Sequence, residues 1–224
     1  MKVKLIAITK PVAEDIKHFS AEEFSAYVAR VSSPNNQLNS ETAPKLLGYC
    51  IKHAHWSVFE HASFTVEIET SRAIAAQILR HRSFFFQERS QRYSKVSEFE
   101  LYEARSQDLN NRQNSVDDMK SEDKTWFEVA QKKIWNDSNK LYKEALDRNI
   151  AKEQARFLLP LNTKTTIYMT GNIRSWITYI LLREKNGTQK EHSDIANEIK
   201  FIFIEQFPSI SEALKWTLLN KSDG

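Results

Sequence analysis

The sequence predicts a helix-rich single domain with a minority of strand. Two observations point there. Glycine and proline are scarce, four and five in 224 residues, which argues against a loop-rich chain. Apolar residues recur mostly at helical spacing, with one clear exception. In Ser63–Thr70, Phe64, Val66 and Ile68 alternate with Thr65, Glu67 and Glu69, the period of a half-buried strand.

The elements follow in order. Val3 to Thr9 reads as a short strand. Ser20 and Glu23 have the spacing of a capping box, and Phe24, Tyr27, Val28 and Val31 continue as a helix. Residues 33–40 are a polar loop, and Thr42 to His53 is a second helix with Leu46, Leu47, Cys50 and Ile51 on one face. After the 63–70 strand, a helix runs from about Ser71 to Arg82. Phe84 to Tyr93 fits neither period and reads as loop. Residues 106–121 are polar and predict a mobile connection. Glu122 to Asn149 is one or two helices with Trp126, Val129, Ile134, Leu141 and Leu146 as the apolar set. Ala151 to Leu159 is a short helix ended by Pro160, and Thr165 to Thr170 a strand. Asn172 to Lys185 is a helix stopped by Asn186 and Gly187. Ser193–Phe207 and Ser209–Leu219 close the chain. No internal repeat or linker divides residues 1–224, so one domain is expected.

Composition bounds the function. Net charge is only +3, so a general nucleic-acid-binding surface is not favoured. The single cysteine, Cys50, excludes an intramolecular disulfide and fits a reducing compartment. It lies in an apolar helical pattern with no adjacent cation, as a core residue would. No apolar run approaches a membrane span. These features predict a soluble intracellular protein that spans no membrane.

The charge is unevenly placed. Ser71–Ser94 holds five of the twelve arginines, no lysine and one acidic residue, Glu88. Planar guanidinium forks match phosphate and carboxylate geometry and stay charged when partly buried. A solvated basic surface would mix in lysine. The segment therefore reads as a polyanion site, with salt bridging as the alternative. Gln77 shares a helical face with Arg80 and His81. His53, His55 and His61 invite a metal, but no regular spacing places all three on one face, so no metal site is expected. No Walker sequence or Gly-x-Gly-x-x-Gly is present. Arg183 ends the apolar face of the 172–185 helix, where a cation is also favoured by the helix dipole alone.

At this point a family resemblance enters. Arg80-His81-Arg82, seven residues, then Ser90 resembles the Arg-His-Arg-x7-Ser signature of the flavin-dependent thymidylate synthases. His55 to His61 is similar to that family's His-x-Ser/Thr-x-Phe-Glu-His segment, and Ser90-Gln91-Arg92-Tyr93-Ser94 to the continuation of its signature. Arg156 to Pro160, Asn172-Ile173-Arg174 and Leu182-Arg183 recur in the family's order, and Ala29 to Ser32 resembles an N-terminal element. The resemblance spans roughly residues 28–190.

The resemblance implies an α+β fold with a small, mostly antiparallel sheet. It also implies a homotetramer with active sites shared between subunits. It implies methylation of dUMP at carbon 5, with 5,10-methylenetetrahydrofolate as carbon donor and NADPH-reduced FAD as hydride source, giving dTMP and tetrahydrofolate. Ser57, Arg80, His81, Arg82, Glu88, Asn172 and Arg174 would contact FAD, with His55, Ser32 and Thr178 as further candidates. Gln77, Arg80, Glu88, Arg89, Ser90, Gln91, Arg92, Arg156 and Arg183 would hold dUMP, and Arg183 would be catalytic. Thr178 stands where a flavin-contacting Asn is common in the family. Phe85 and Gln87 replace its usual Ser and Asn. A flavin- or nucleotide-binding protein of this fold without methyl transfer is the second reading. An RNA-binding module built on Arg82–Phe86 is the third. The expected location is the cytoplasm, that of a host cell if the source is viral.

Overall fold

The computed structural model describes residues 1–185 and 187–217. Its centre is a four-stranded sheet of β1 (Lys2–Ile8), β2 (Ser63–Ser71), β3 (Phe85–Glu88) and β6 (Lys164–Asn172), in the order β1-β2-β6-β3. Every neighbouring pair is antiparallel. The α+β class is thus as expected, with a fully antiparallel main sheet. The alternation in β2 decides its inner face: Phe64, Val66 and Ile68 are buried, and Ile167 and Met169 of β6 join them.

Helices share one hydrophobic core with that inner face. They are α1 (Ala21–Ala29), α2 (Ala43–Lys52), α3 (Arg72–Ile78), α6 (Ile173–Arg183), α7 (Lys190–Gln206) and α8 (Pro208–Ala213). Ser20 caps α1 through the predicted box: its Oγ accepts from the Glu23 N–H at 3.2 Å, and the Glu23 carboxylate accepts from the Ser20 N–H at 2.7 Å. Trp176 of α6 stacks on Phe64 with ring centroids 4.5 Å apart, and its indole N–H donates to the Gly171 carbonyl at 3.0 Å. Cys50 is buried in the core as predicted. Among the described residues no helix is long and apolar enough to cross a membrane.

The outer face is more open, with Glu67, Glu69 and Thr166 half-buried and Tyr168 exposed. Thr65 and Thr170 share a hydrogen bond of 2.8 Å there, and the Tyr168 hydroxyl donates to Glu67 at 2.6 Å. Phe85, opposite Thr170 and hence on this face, is 80% exposed.

Three local expectations need correction. Phe84–Tyr93 is not all loop, because Phe85–Glu88 adds β3 to the edge of β6. The helix expected to reach Arg82 stops at Ile78, since the chain must reverse to enter that strand. Residues 106–121 are not a structureless connection. They form a hairpin of β4 (Ser106–Gln107) and β5 (Ser115–Val116), whose tip is pinned by the Asp108 carboxylate accepting from the Asn110 and Asn111 N–H groups at 2.8 and 3.0 Å.

The 122–149 stretch, expected as one or two helices, is α4 (Ser121–Asp147), a single long helix. Of its periodic apolar residues, Trp126, Val129, Ile134 and Leu141 are exposed, whereas Gln131, Trp135, Tyr142 and Ala145 are buried. Trp135 stacks on Phe99, and the Gln131 amide clamps the Tyr102 backbone from both sides, at 3.0 and 2.8 Å. The 151–159 segment is split into α5 (Lys152–Ala155) and a 3-10 turn, Arg156–Leu158. The end of the predicted closing helix lies outside the described residues.

Candidate functional site

The arginine-rich segment leaves α3, turns through Arg80-His81-Arg82, becomes β3 and emerges as the 89–94 turn. Its residues therefore fall at two ends of a short strand. Phe85 to Glu88 spans about 10 Å at 3.3 Å per residue.

At the first end, Arg183 comes from the last turn of α6 and donates its Nε–H to His81 Nε2 at 2.9 Å. That bond requires a neutral imidazole. Burial, and then the Arg183 charge itself, push the His81 pKa down to about 4. Behind them, His192 of α7 is fully buried and shares a hydrogen bond of 3.1 Å with the Tyr179 hydroxyl. Burial, then Arg183 and His81, push its pKa down to about 3. Burial raises the Tyr179 phenol well above its ordinary value. Arg183 thus rests on an uncharged wall of two imidazoles and a phenol. Sequence reading missed Tyr179 and His192. Tyr179 lies one turn before Arg183 on α6, a spacing that offered a signal; nothing in the sequence marked His192.

Arg80 and Arg82 are exposed here, and neither forms a salt bridge among the described residues. Gln77, on α3, donates to Gln189 at 2.5 Å.

At the second end, Glu88 is held from two sides. Arg72 Nη1 lies 2.5 Å from its Oε1, and the Thr165 hydroxyl donates to the same oxygen at 2.9 Å. The Arg89 N–H extends the strand pairing to the Thr166 carbonyl, and its Nε–H donates to Ser94 at 3.2 Å. Ser90 Oγ accepts from the Arg92 N–H at 3.2 Å, a tight turn that gathers Ser90, Gln91 and Arg92. Arg92 and Arg156 meet on either side of one residue of α5: Arg92 pairs with the Glu153 carboxylate at 3.3 Å, and Arg156 Nε–H donates to the Glu153 carbonyl at 3.1 Å. Arg89 and Gln91 line a cavity of about 140 Å³ with Ser94, Val96, Lys164 and Thr165. The Gln91 amide nitrogen is buried with no partner among the described residues.

The remaining candidates sit where β6 passes into α6. Asn172 caps α6 by accepting from the Ser175 N–H at 2.8 Å. Arg174, in the first turn of α6, pairs with Glu60 of the 3-10 turn Trp56–Glu60, which also carries Ser57. His55 precedes that turn, its ring 5.8 Å from Tyr49. The Thr178 hydroxyl donates to the Arg174 carbonyl at 3.0 Å, so it is engaged with its own helix. Ser32 lies apart, on a cleft of about 560 Å³ with Arg30, Lys45 and Tyr49. No group of three His, Cys, Asp or Glu able to hold a metal occurs among the described residues.

One chain therefore brings His81 to Arg183, Arg92 to Arg156, and Ser57 to Arg174 through Glu60. No hydrogen bond or ion pair among the described residues joins those three groups to one another. Arg80, Arg82, Arg89, Arg156 and Arg183 form no salt bridge among the described residues, and Arg183 sits beside a neutral imidazole on this antiparallel sheet. The family model described as "Thymidylate synthase complementing protein" matches residues 16–209. A probable flavin-dependent thymidylate synthase of Paramecium bursaria Chlorella virus 1 is 58% identical over 217 residues, 96% of this chain and 100% of that one. A flavin-dependent thymidylate synthase of Synechocystis is 52% identical over the same shares. A UMP/dUMP methylase, PolB from Streptomyces cacaoi, solved with 5-Br dUMP, superposes with a TM-score of 0.82 at 22% identity, covering 96% of this chain and 94% of that one, which establishes likeness of fold. The chain belongs to the family of flavin-dependent thymidylate synthases.

Proposed function

We propose that this chain converts dUMP to dTMP, using 5,10-methylenetetrahydrofolate as carbon donor and FAD reduced by NADPH, and releases tetrahydrofolate. Family membership supports the reaction class. The observation that carries the residue assignment is the Arg183–His81 contact. With Nε committed to His81, both Nη groups of Arg183 have no partner among the described residues. They are available as a fork for an anion.

A guanidinium cannot take a proton at working pH. Arg183 instead stabilises negative charge on the pyrimidine at N3, which makes carbon 5 electron-rich and nucleophilic. The buried phenol and imidazoles behind it keep water from screening that charge. No enzyme thiol is needed, in keeping with a buried Cys50 whose thiol burial pushes up. Ser90, its oxygen tied to the Arg92 N–H, binds rather than attacks.

The residues present fit the two nucleotides. Arg80 and Arg82 offer forks to the FAD pyrophosphate, while Arg89, Ser90, Gln91, Arg92 and Arg156 gather around the dUMP phosphate. The buried, unpartnered Gln91 amide is a donor awaiting an acceptor there. Ser57, His81, Glu88, Asn172 and Arg174 are the further flavin contacts, with Ser32, His55 and Thr178 at the edge. Bound flavin supplies the hydride; the chain orients it.

On this reading the complete site is shared between chains of a homotetramer, as the family resemblance implies. The exposed Phe85, Phe157 and Leu161, at 80%, 74% and 74%, and the α4 stripe support such interfaces. Cytoplasm is the compartment that suits a single reduced thiol. Titrating the purified protein with FAD tests the flavin assignment. A yellow complex is expected; a colourless protein that takes up no flavin overturns it.

A further inference from the structure

The hairpin of β4 and β5 matched no recognised element of the sequence, yet it is wired to the substrate end of α3. Arg105, just before β4, donates its Nε–H to Ser115 of β5 at 3.0 Å, and its Nη2 pairs with Glu191. Both side chains of that pair are buried, 10% and 6% exposed. Glu191 Oε2 accepts from the Gln189 amide nitrogen at 2.8 Å. The Gln189 amide oxygen in turn accepts from Gln77 Nε2 at 2.5 Å. The hairpin also packs on the loop that carries Gln189: a Cβ on Gly187, at φ +94°, would lie 3.3 Å from Asn111.

The direction of each bond is fixed from one end. An ionised carboxylate only accepts, so Gln189 must turn its NH2 to Glu191 and its oxygen to Gln77. Gln77 must then spend its NH2 on Gln189 and keep its own oxygen free as an acceptor. We infer that Arg105, Glu191 and Gln189 are positioning residues that set the orientation of the Gln77 amide for the nucleotide. Burial would raise the Glu191 pKa, but the hydrogen bonds from Arg105 and Gln189 outweigh it and hold the carboxyl below its ordinary range, so the acceptor end stays ionised. The inference rests on the assignment of Gln77 to dUMP.

The test measures dUMP dissociation constants on the FAD-loaded protein, together with the kcat at saturating dUMP, the flavin spectrum and the melting temperature. Gln189 is exposed, so Gln189→Ala removes the link with little risk to folding. Glu191→Gln removes the fixed polarity and keeps the shape. Both are expected to weaken dUMP about tenfold, as Gln77→Ala does, the scale of one misdirected hydrogen bond. FAD binding and kcat should stay within about twofold of wild type, and Gln77→Ala/Gln189→Ala should bind no more weakly than Gln77→Ala. If Gln77→Ala weakens dUMP while Gln189→Ala and Glu191→Gln bind it normally, or if the double variant is additive, the relay is overturned and the dUMP reading stands. If Gln77→Ala itself binds dUMP normally, the Gln77 assignment falls and the relay with it.

Discussion

Arg183 and His81 form one hydrogen-bonded unit built from two side chains. The imidazole accepts only while uncharged, and the guanidinium presents its free fork only while Nε is engaged. On the proposed assignment, replacing the arginine removes a preorganised charge aimed at the pyrimidine. Arg183→Ala is therefore expected to lower turnover by at least 10²–10³-fold, roughly the effect of losing one oxyanion-type donor, while flavin absorbance of the purified protein is unchanged. Near-normal turnover would remove Arg183 from the catalytic role. The arginine motif could be read in sequence because its chemistry is local. The relation of Arg183 to His81, 102 residues apart, exists only in the fold.

At the scale of elements, β2 and β6 form the frame that places the site, and room for the Phe84 ring, at the entry to β3, is left by Gly171 of β6. A Cβ there would sit 2.5 Å from Cδ1 of the buried Phe84 ring, which is hemmed in by Trp176 and Tyr179. Gly171→Ala is expected to cost about 1–3 kcal/mol by overpacking, read as a lowered denaturation midpoint in urea; an unchanged midpoint would show that the ring can move aside.

What the sequence disclosed at this scale depended on whether one face of an element is dry. β2 alternates because one side meets the core, and the box at Ser20 is local chemistry, so both were legible. β3 was not: an edge strand with Phe85 on the open face and Glu88 turned toward Arg72 shows no apolar alternation. In α4 two apolar stripes compete. Periodicity reports that stripes exist but not which one meets this domain, and the polar Gln131, buried by its bonds to the Tyr102 backbone, marks the face that won.

At the scale of the whole molecule, one prediction follows from burial and one from exposure. His81 and His192 are held neutral, with pKa values of about 4 and about 3 against an ordinary 6.5. Between about pH 6.5 and pH 4 the unfolded chain takes up protons that the folded chain refuses, so stability falls as pH drops through that window and below it for His192. The melting temperature should decline on acidification from pH 6.5, and a His192→Asn variant should show a shallower decline. An equal slope would mean the buried imidazole does not govern the acid limb. The second prediction concerns assembly. Light scattering should give a tetramer, and Phe85→Glu on the open sheet face should yield smaller species with proportionately lower activity. Full turnover by a single-chain species would contradict a site shared between chains.

Tritium release from dUMP labelled at carbon 5, with FAD-loaded protein, NADPH and 5,10-methylenetetrahydrofolate, tests the central claim most directly. Release that requires both co-substrates and is lost in Arg183→Ala is the predicted result. A flavin-loaded, folded protein that releases no tritium would contradict thymidylate synthesis and leave only a nucleotide-binding flavoprotein.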